Sequence, residues 1–200
     1  MIYLERASIA ITGLQNAGKT SLTQRLLTGR HVDSQPTFGV DVEFTTYRNY
    51  PLKIWDMGGH MSFRTQVWKN YIKRASAFIF IFDASDISKL EESSEWFWKC
   101  FSWIEKEGIP IVFLANKWDL VTAKDEAIKR IVSGFRLEEM ATVALQSPFQ
   151  FFFISVKTGA YISDAMNWLI VKNFIDKNRI DSRILSFDLF MKAEEYSIHV

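Results

Sequence analysis

Gly13-Leu14-Gln15-Asn16-Ala17-Gly18-Lys19-Thr20 is the stretch that decides the fold. An alternating apolar run, Ala7 to Thr12, leads into it, and a helix-like run, Ser21 to Leu27, leads out. The pattern G-x-x-x-x-G-K-T therefore falls on a strand–loop–helix unit. Its glycines let the backbone curl with successive N–H groups turned inward, and the following helix adds the positive end of its dipole, so the unit cradles an anion. Gly13, Asn16, Ala17, Gly18 and Ser21 form the candidate cradle. Lys19 is placed to reach the outer phosphates and the Thr20 hydroxyl to ligate Mg²⁺.

Around this loop the chain has 200 residues, of which 48% are hydrophobic and 15% aromatic. That suits one domain with an ordinary core and argues against dominant disorder. A net charge of +1 removes any global electrostatic argument for a nucleic acid polymer as partner. The single cysteine, Cys100, can make neither an intramolecular disulfide nor a cysteine zinc cluster. It reads as buried filler, and a reducing compartment, the cytoplasm, is expected. No apolar run approaches the roughly 18 residues of a membrane span. The start lacks the regions of a signal peptide, Ile2 after Met1 excludes N-myristoylation, and the C-terminus has no prenylatable cysteine.

Outward from the loop, strand-like and helix-like periods alternate, which predicts an α/β sheet with helices on both faces. Thr28 to Thr37 reads as an exposed loop, because Gly29, His31, Asp33, Ser34 and Pro36 break every period. Val40 to Thr45 alternates as a half-exposed strand, Tyr47 to Pro51 supplies a turn, and Leu52 to Trp55 resumes, so the pair is an antiparallel hairpin. Three continuous apolar runs, Ala77 to Phe82, Ile109 to Ala115 and Phe151 to Ile154, have the pattern of central parallel strands. Helices are expected over Lys89 to Lys106, over Ala123 to Leu145 with an interruption near Gly134, and around Ile162, Met166, Leu169, Ile170 and Phe174. Residues 1–178 are expected to form one nucleotide-binding domain, with 179–200 an extension packed on it.

Four further motifs follow in order. In Pro36-Thr37-Phe38-Gly39, a hydroxyl on a mobile loop can complete a Mg²⁺ shell only while a γ-phosphate is present, so the loop reports nucleotide state. In Trp55-Asp56-Met57-Gly58-Gly59, Asp56 can hold Mg²⁺ through water, and Gly59 has no side chain to keep its N–H from the γ-phosphate. Asn116-Lys117-Trp118-Asp119 follows a buried strand. The Asp119 carboxylate can accept from guanine N1–H and from its exocyclic amine, a pair adenine lacks. At roughly 1.5–3 kcal/mol per charge-assisted bond, two such bonds discriminate by about 3–6 kcal/mol. Asn116 is expected to bind the purine edge and brace nearby loops, and the Lys117 stem to lie over the ring. In Ser155-Val156-Lys157-Thr158-Gly159, the Val156 N–H is expected to donate to guanine O6, with Ser155 and Lys157 beside it.

Together these residues resemble the Ras-like small GTPases, and most closely their Arf/Sar branch. Gly13 to Thr20 is similar to that branch's GLDNAGKT, Pro36 to Glu43 to its PTxGxxxE, and Trp55 to His60 to its WDxGG followed by Gln or His. Arg64 to Tyr71 looks especially like Sar proteins, which also carry His at the position of His60. The resemblance runs from Ala7 to Lys177. It implies a P-loop NTPase fold: a six-stranded, mostly parallel sheet with one antiparallel edge strand, five helices, and a nucleotide at the strands' C-terminal ends. It also implies a GTP/GDP cycle with Mg²⁺, in which Lys19, Thr37 and Gly59 stabilise the reacting phosphate and a neutral His60 orients water. An activating protein, an exchange factor and effectors on the switch and interswitch surface are the implied partners.

Several positions depart from the family. Gln15 replaces an acidic residue in the phosphate loop. Val40 stands where the family's effector trio has Phe, beside the matching Trp55 and Tyr71. About six residues precede the first strand, where the family carries an amphipathic helix, so any membrane association is expected to run through a partner. Arg64 is expected at the surface or in switch structure rather than as an internal arginine finger, and Trp98 is expected away from the side of Phe97, Phe101 and Ile104, either facing outward as an interface residue or lying flat on neighbouring side chains. A stably GTP-bound, non-hydrolysing scaffold is the alternative reading. An ATPase is disfavoured by Asn116 and Asp119.

Overall fold

The computed structural model describes residues 6–143 and 146–175. The extension 179–200, expected to pack on the domain, lies outside the described residues. Six strands form one sheet in the order β2-β3-β1-β4-β5-β6. They are β1 (Ala7–Thr12), β2 (Val40–Tyr47), β3 (Tyr50–Met57), β4 (Ala77–Asp83), β5 (Ile111–Asn116) and β6 (Phe149–Phe153). Only β2 and β3 pair antiparallel, with Val40 opposite Met57 and Tyr47 opposite Tyr50. Their two-residue turn, Arg48-Asn49, has φ of 48° and 65°. Left-handed conformation at both positions matches the natural twist of a hairpin.

Helices cover both faces. On one side lie α3 (Trp68–Ile72), α4 (Leu90–Ser102) and α5 (Lys124–Gly134), over a core rich in rings: Phe78, Phe80, Phe82, Phe97, Phe113 and Phe135. Phe113 and Phe135 meet edge to face at 4.6 Å, a favoured arrangement of ring quadrupoles. On the other side α1 (Lys19–Thr28) and α7 (Ile162–Met166) cover an aliphatic core of Ile9, Ile11, Leu22, Ile54, Ile79 and Leu114. Because both faces are covered, every residue of β4 and β5 is buried and neither strand alternates.

One expectation needs correction, and two are sharpened. The run at Phe151 is not a central strand: β6 is the sheet edge, and Phe151, Phe152 and Phe153 are only half-buried. The helix expected over 123–145 with an interruption near Gly134 does break there: α5 ends at Gly134, where a Cβ would stand 2.5 Å from Leu90 Cδ2. Phe135 then turns into the ring cluster, Arg136 takes a left-handed φ of 50°, and α6 (Met140–Val143) is a separate turn. Trp98 packs against its neighbours rather than facing outward. Its indole N–H donates to Phe135 O at 2.8 Å and the Arg136 guanidinium lies 4.6 Å above its ring, so it ties α4 to the end of α5.

Two smaller differences concern helix form. A helix not predicted from the sequence follows His60, split at Val67 into α2 (Met61–Gln66) and α3. α7 widens into π-helical turns over Asn167–Ile175, where Asn173 Nδ2 donates to Trp168 O at 2.7 Å across the five-residue spacing. Cys100 is fully buried, and burial raises its thiol well above the ordinary range.

Candidate functional site

The ends of β1, β3 and β5 deliver the motifs to one rim of the sheet. Gly18 adopts φ 100°, and a Cβ there would stand 2.3 Å from Asn116 Nδ2, so this position needs glycine both for conformation and for room. Lys19 follows as the first residue of α1. Its ammonium donates to Gly13 O at 3.0 Å and Leu14 O at 2.8 Å and is 6% exposed. Burial lowers its pKa from 10.5 to about 8; the Asp56 carboxylate opposes that shift and the Arg64 charge reinforces it.

Thr20 Oγ1 and Thr37 Oγ1, from opposite walls of one cavity, lie 2.8 Å apart. Asp56 is 1% exposed and its Oδ1 has no hydrogen-bond partner among the described residues. Burial pushes its carboxyl above the ordinary range, while the Thr20 hydroxyl and the Lys19 charge work the other way. This donor set fits Mg²⁺. Two adjacent ligands of an octahedral ion at 2.0–2.1 Å stand about 2.9 Å apart, and a buried unpaired carboxylate oxygen suits the ion's water shell.

The cavity at this end, about 400 Å³, is lined by Gln15, Asn16, Gly18 to Ser21, Ser34 to Phe38, Gly59 and His60. Three contacts hold the loop over it: Ser34 Oγ to Ser21 Oγ at 3.0 Å, the Thr20–Thr37 pair, and Gly58 N–H to Gly39 O at 2.8 Å. Gly59 approaches so closely that an added Cβ would lie 2.6 Å from Gln15 N and from Lys19 Nζ. His60 is exposed on the cavity wall, with Nδ1 3.0 Å from Ser62 Oγ. Arg64 is not a surface residue. At 6% exposure its Nε donates to Gly59 O at 2.7 Å, and its Nη1 meets Glu92 Oε1 on α4 at 2.5 Å.

A second cavity, about 270 Å³, adjoins the first through Asn16, Gly18, Ser21 and Ser34. Asn116, Lys117, Asp119, Val156 and Lys157 line it. Asp119 is exposed there, with its carboxylate open to a ligand. Asn116 braces the neighbouring loops: Nδ2 donates to Ala17 O at 2.9 Å and Oδ1 accepts from Val156 N–H at 2.9 Å. The Val156 N–H, expected to meet guanine O6, is therefore already engaged. Ser155 does not line the cavity; its hydroxyl accepts from the Thr158 N–H at 3.0 Å and closes the turn. Ala17 and Gly13 likewise contribute carbonyls to the scaffold.

Four residues absent from the sequence reading also build the site. Asp83, at the end of β4, holds Lys117 Nζ at 2.6 Å, and the acidic end of an otherwise apolar strand was the available signal. Arg25 donates to Val156 O, Lys157 O and Thr158 O. Trp68 Nε1 donates to Gly58 O at 3.0 Å, and Glu92 receives Arg64.

A phosphate loop at a strand–helix junction, a hydroxyl pair beside a buried carboxylate, and a separate base cavity together define a nucleotide-binding protein of the P-loop class. The chain belongs to the ADP-ribosylation factor (Arf) family, which it matches over residues 3–173. It is 37% identical to ADP-ribosylation factor 3 of Arabidopsis thaliana over 123 residues, 62% of this chain and 67% of that one. It is 31% identical to ADP-ribosylation factor-like protein 8c of the same plant over 173 residues, 85% and 89% of the two chains. In three dimensions it is similar to the Arl6 BBS3 small GTPase of Trypanosoma brucei with bound nucleotide analogue GppNp: TM-score 0.69, 26% identity, 82% of this chain and 95% of that one. It is thus an Arf-family small GTP-binding protein. No described helix is long and apolar enough to cross a membrane.

Proposed function

We propose that this chain is a GTP/GDP switch that hydrolyses GTP slowly on its own and binds effectors according to its nucleotide. The observation that carries this reading is the 2.8 Å Thr20–Thr37 hydroxyl pair beside the unpartnered Oδ1 of Asp56, because it joins the phosphate helix to the loop before β2. Thr20 and Thr37 would hold Mg²⁺, with Asp56 holding it through water, and the bound ion would neutralise charge developing on the phosphates.

The chain's own residues do the rest. Lys19 and the loop N–H groups hold the outer phosphates, Gly59 N–H meets the γ-phosphate, Asp119 reads the guanine edge, and the Lys117 stem covers the ring. His60 orients the attacking water through a ring nitrogen, as its match to the His of Sar proteins and the Sar-like stretch Arg64 to Tyr71 suggest. Among the described residues no arginine lines either cavity, and Arg64 is committed to Gly59 and Glu92. An activating protein that inserts one is therefore expected to accelerate hydrolysis by about 10³–10⁵. Effectors are expected on the exposed apolar side chains Phe38, Val42, Phe44 and Met61, with Trp55 and Tyr71 paired beside them at 5.5 Å. Nucleotide-dependent effector binding of this kind would serve membrane traffic.

The test is analysis of nucleotide bound to the purified protein, with single-turnover hydrolysis followed for wild type and His60→Ala. GDP or GTP should co-purify, ATP should not compete, and His60→Ala should abolish turnover while binding persists. Gln15, where the family has an acid, favours the non-hydrolysing scaffold as second reading; no wild-type turnover, with GTP retained, would establish it. ATP competing as well as GTP would remove both.

A further inference from the structure

Gly59 is pinned on both sides. The peptide linking Gly58 to Gly59 carries the Gly58 carbonyl and the Gly59 N–H on opposite edges, since every described peptide is trans. The carbonyl of that peptide accepts from the fully buried Trp68 indole at 3.0 Å. The N–H is therefore turned away from Trp68. The next peptide, from Gly59 to His60, has its carbonyl held by Arg64 Nε at 2.7 Å.

Neither anchor is loose. The Trp68 ring meets Trp96 of α4 edge to face at 5.5 Å. The Arg64 guanidinium lies 5.4 Å from the same Trp96 ring and is paired with Glu92. On its other side Gly59 backs onto Gln15 and Lys19 with no room for a Cβ.

We infer that Trp68 and Arg64 are positioning residues that fix the two peptide planes flanking Gly59, so that its N–H is oriented before a γ-phosphate arrives. The inference rests on the reading of that N–H as the γ-phosphate donor. A glycine left unanchored would sample many orientations, and a γ-phosphate would have to order it on arrival. Two anchors on the carbonyl edges remove that cost without touching the nucleotide. GDP has no γ-phosphate, so its binding does not draw on them.

The test compares affinities for GDP and for the non-hydrolysable triphosphate GppNp. Trp68→Phe keeps a ring in the core and deletes the N–H. It should weaken GppNp binding about tenfold, the worth of one oriented hydrogen bond, and change GDP binding less than about twofold. Equal losses for both nucleotides, or no loss for GppNp, would overturn the inference. If Trp68→Phe melts early, Arg64→Lys carries the same comparison, because lysine keeps the cation near Glu92 and has no Nε–H donor. Gly59→Ala separates the two layers of the claim. If it binds GppNp as tightly as wild type, the γ-phosphate reading itself has failed. If it loses GppNp while both anchor variants keep it, only the positioning role has failed.

Discussion

Lys19 carries a pH dependence whose sign follows from its surroundings. Buried and bonded to two carbonyls, it has a pKa lowered by burial to about 8 against an ordinary 10.5. Between those values the unfolded chain binds the proton and the folded, nucleotide-free chain does not, so stability of the free protein rises with pH across that window. Phosphates restore the charged form, so above pH 8 nucleotide binding takes up a proton and affinity falls up to about tenfold per unit. Titration calorimetry with GDP at pH 9 in two buffers of different ionisation heat should show that uptake; identical heats would contradict it. Asp119 gives a second residue-level expectation. Inosine diphosphate lacks the exocyclic amine, so wild type should prefer GDP by about 10–100-fold, one charge-assisted bond. Asp119→Ala should erase the preference in competition binding. The gathering of Lys19, Thr20, Thr37 and Asp56 at one end of the site and of Asp119 at the other was legible, because each stands at a fixed place in its motif. The partner of the Val156 N–H was not, since a backbone donor takes whichever acceptor folding brings, and here Asn116 came first.

At the scale of elements, α1 does more than start the phosphate site. Its last turn sends Arg25 across to three consecutive carbonyls, Val156, Lys157 and Thr158, so one helix spaces the phosphate end from the base end. Gly159 leaves the room: a Cβ there would stand 2.2 Å from Arg25 Nη2. Arg25→Ala should speed GDP release about tenfold, seen by stopped-flow displacement, with helix content unchanged. Such a contact between residues more than 130 apart has no local pattern to announce it. The strands were readable where burial made a pattern, as in β4, or where alternation and a turn coincided, as in β2 and β3. Position within the sheet was not: the four phenylalanines of β6 look like a central strand, yet aromatic side chains are long enough to cover an edge. The early end of α5 was legible only as Gly134, because the turn of Phe135 into the core depends on the rings waiting there.

The whole molecule is a sheet between an aromatic core and an aliphatic one. Phe135 contacts Phe80, Phe82, Phe97 and Phe113, so it joins α5 to two strands and α4. Phe135→Ala should cost about 3–5 kcal/mol, read as a lower urea midpoint at unchanged slope. GDP at a hundredfold excess over its dissociation constant should return about 2.7 kcal/mol of that. One further consequence lies in the loop between α1 and β2. Two hydroxyl pairs and one backbone bond fasten it, each worth about 1 kcal/mol net. Arg30 stands exposed at its start. Trypsin would therefore work as a clock on this segment: cutting after Arg30 would track how often the fastenings let go, and a bound nucleoside triphosphate would slow it while leaving the tryptic sites elsewhere on the surface to mark time.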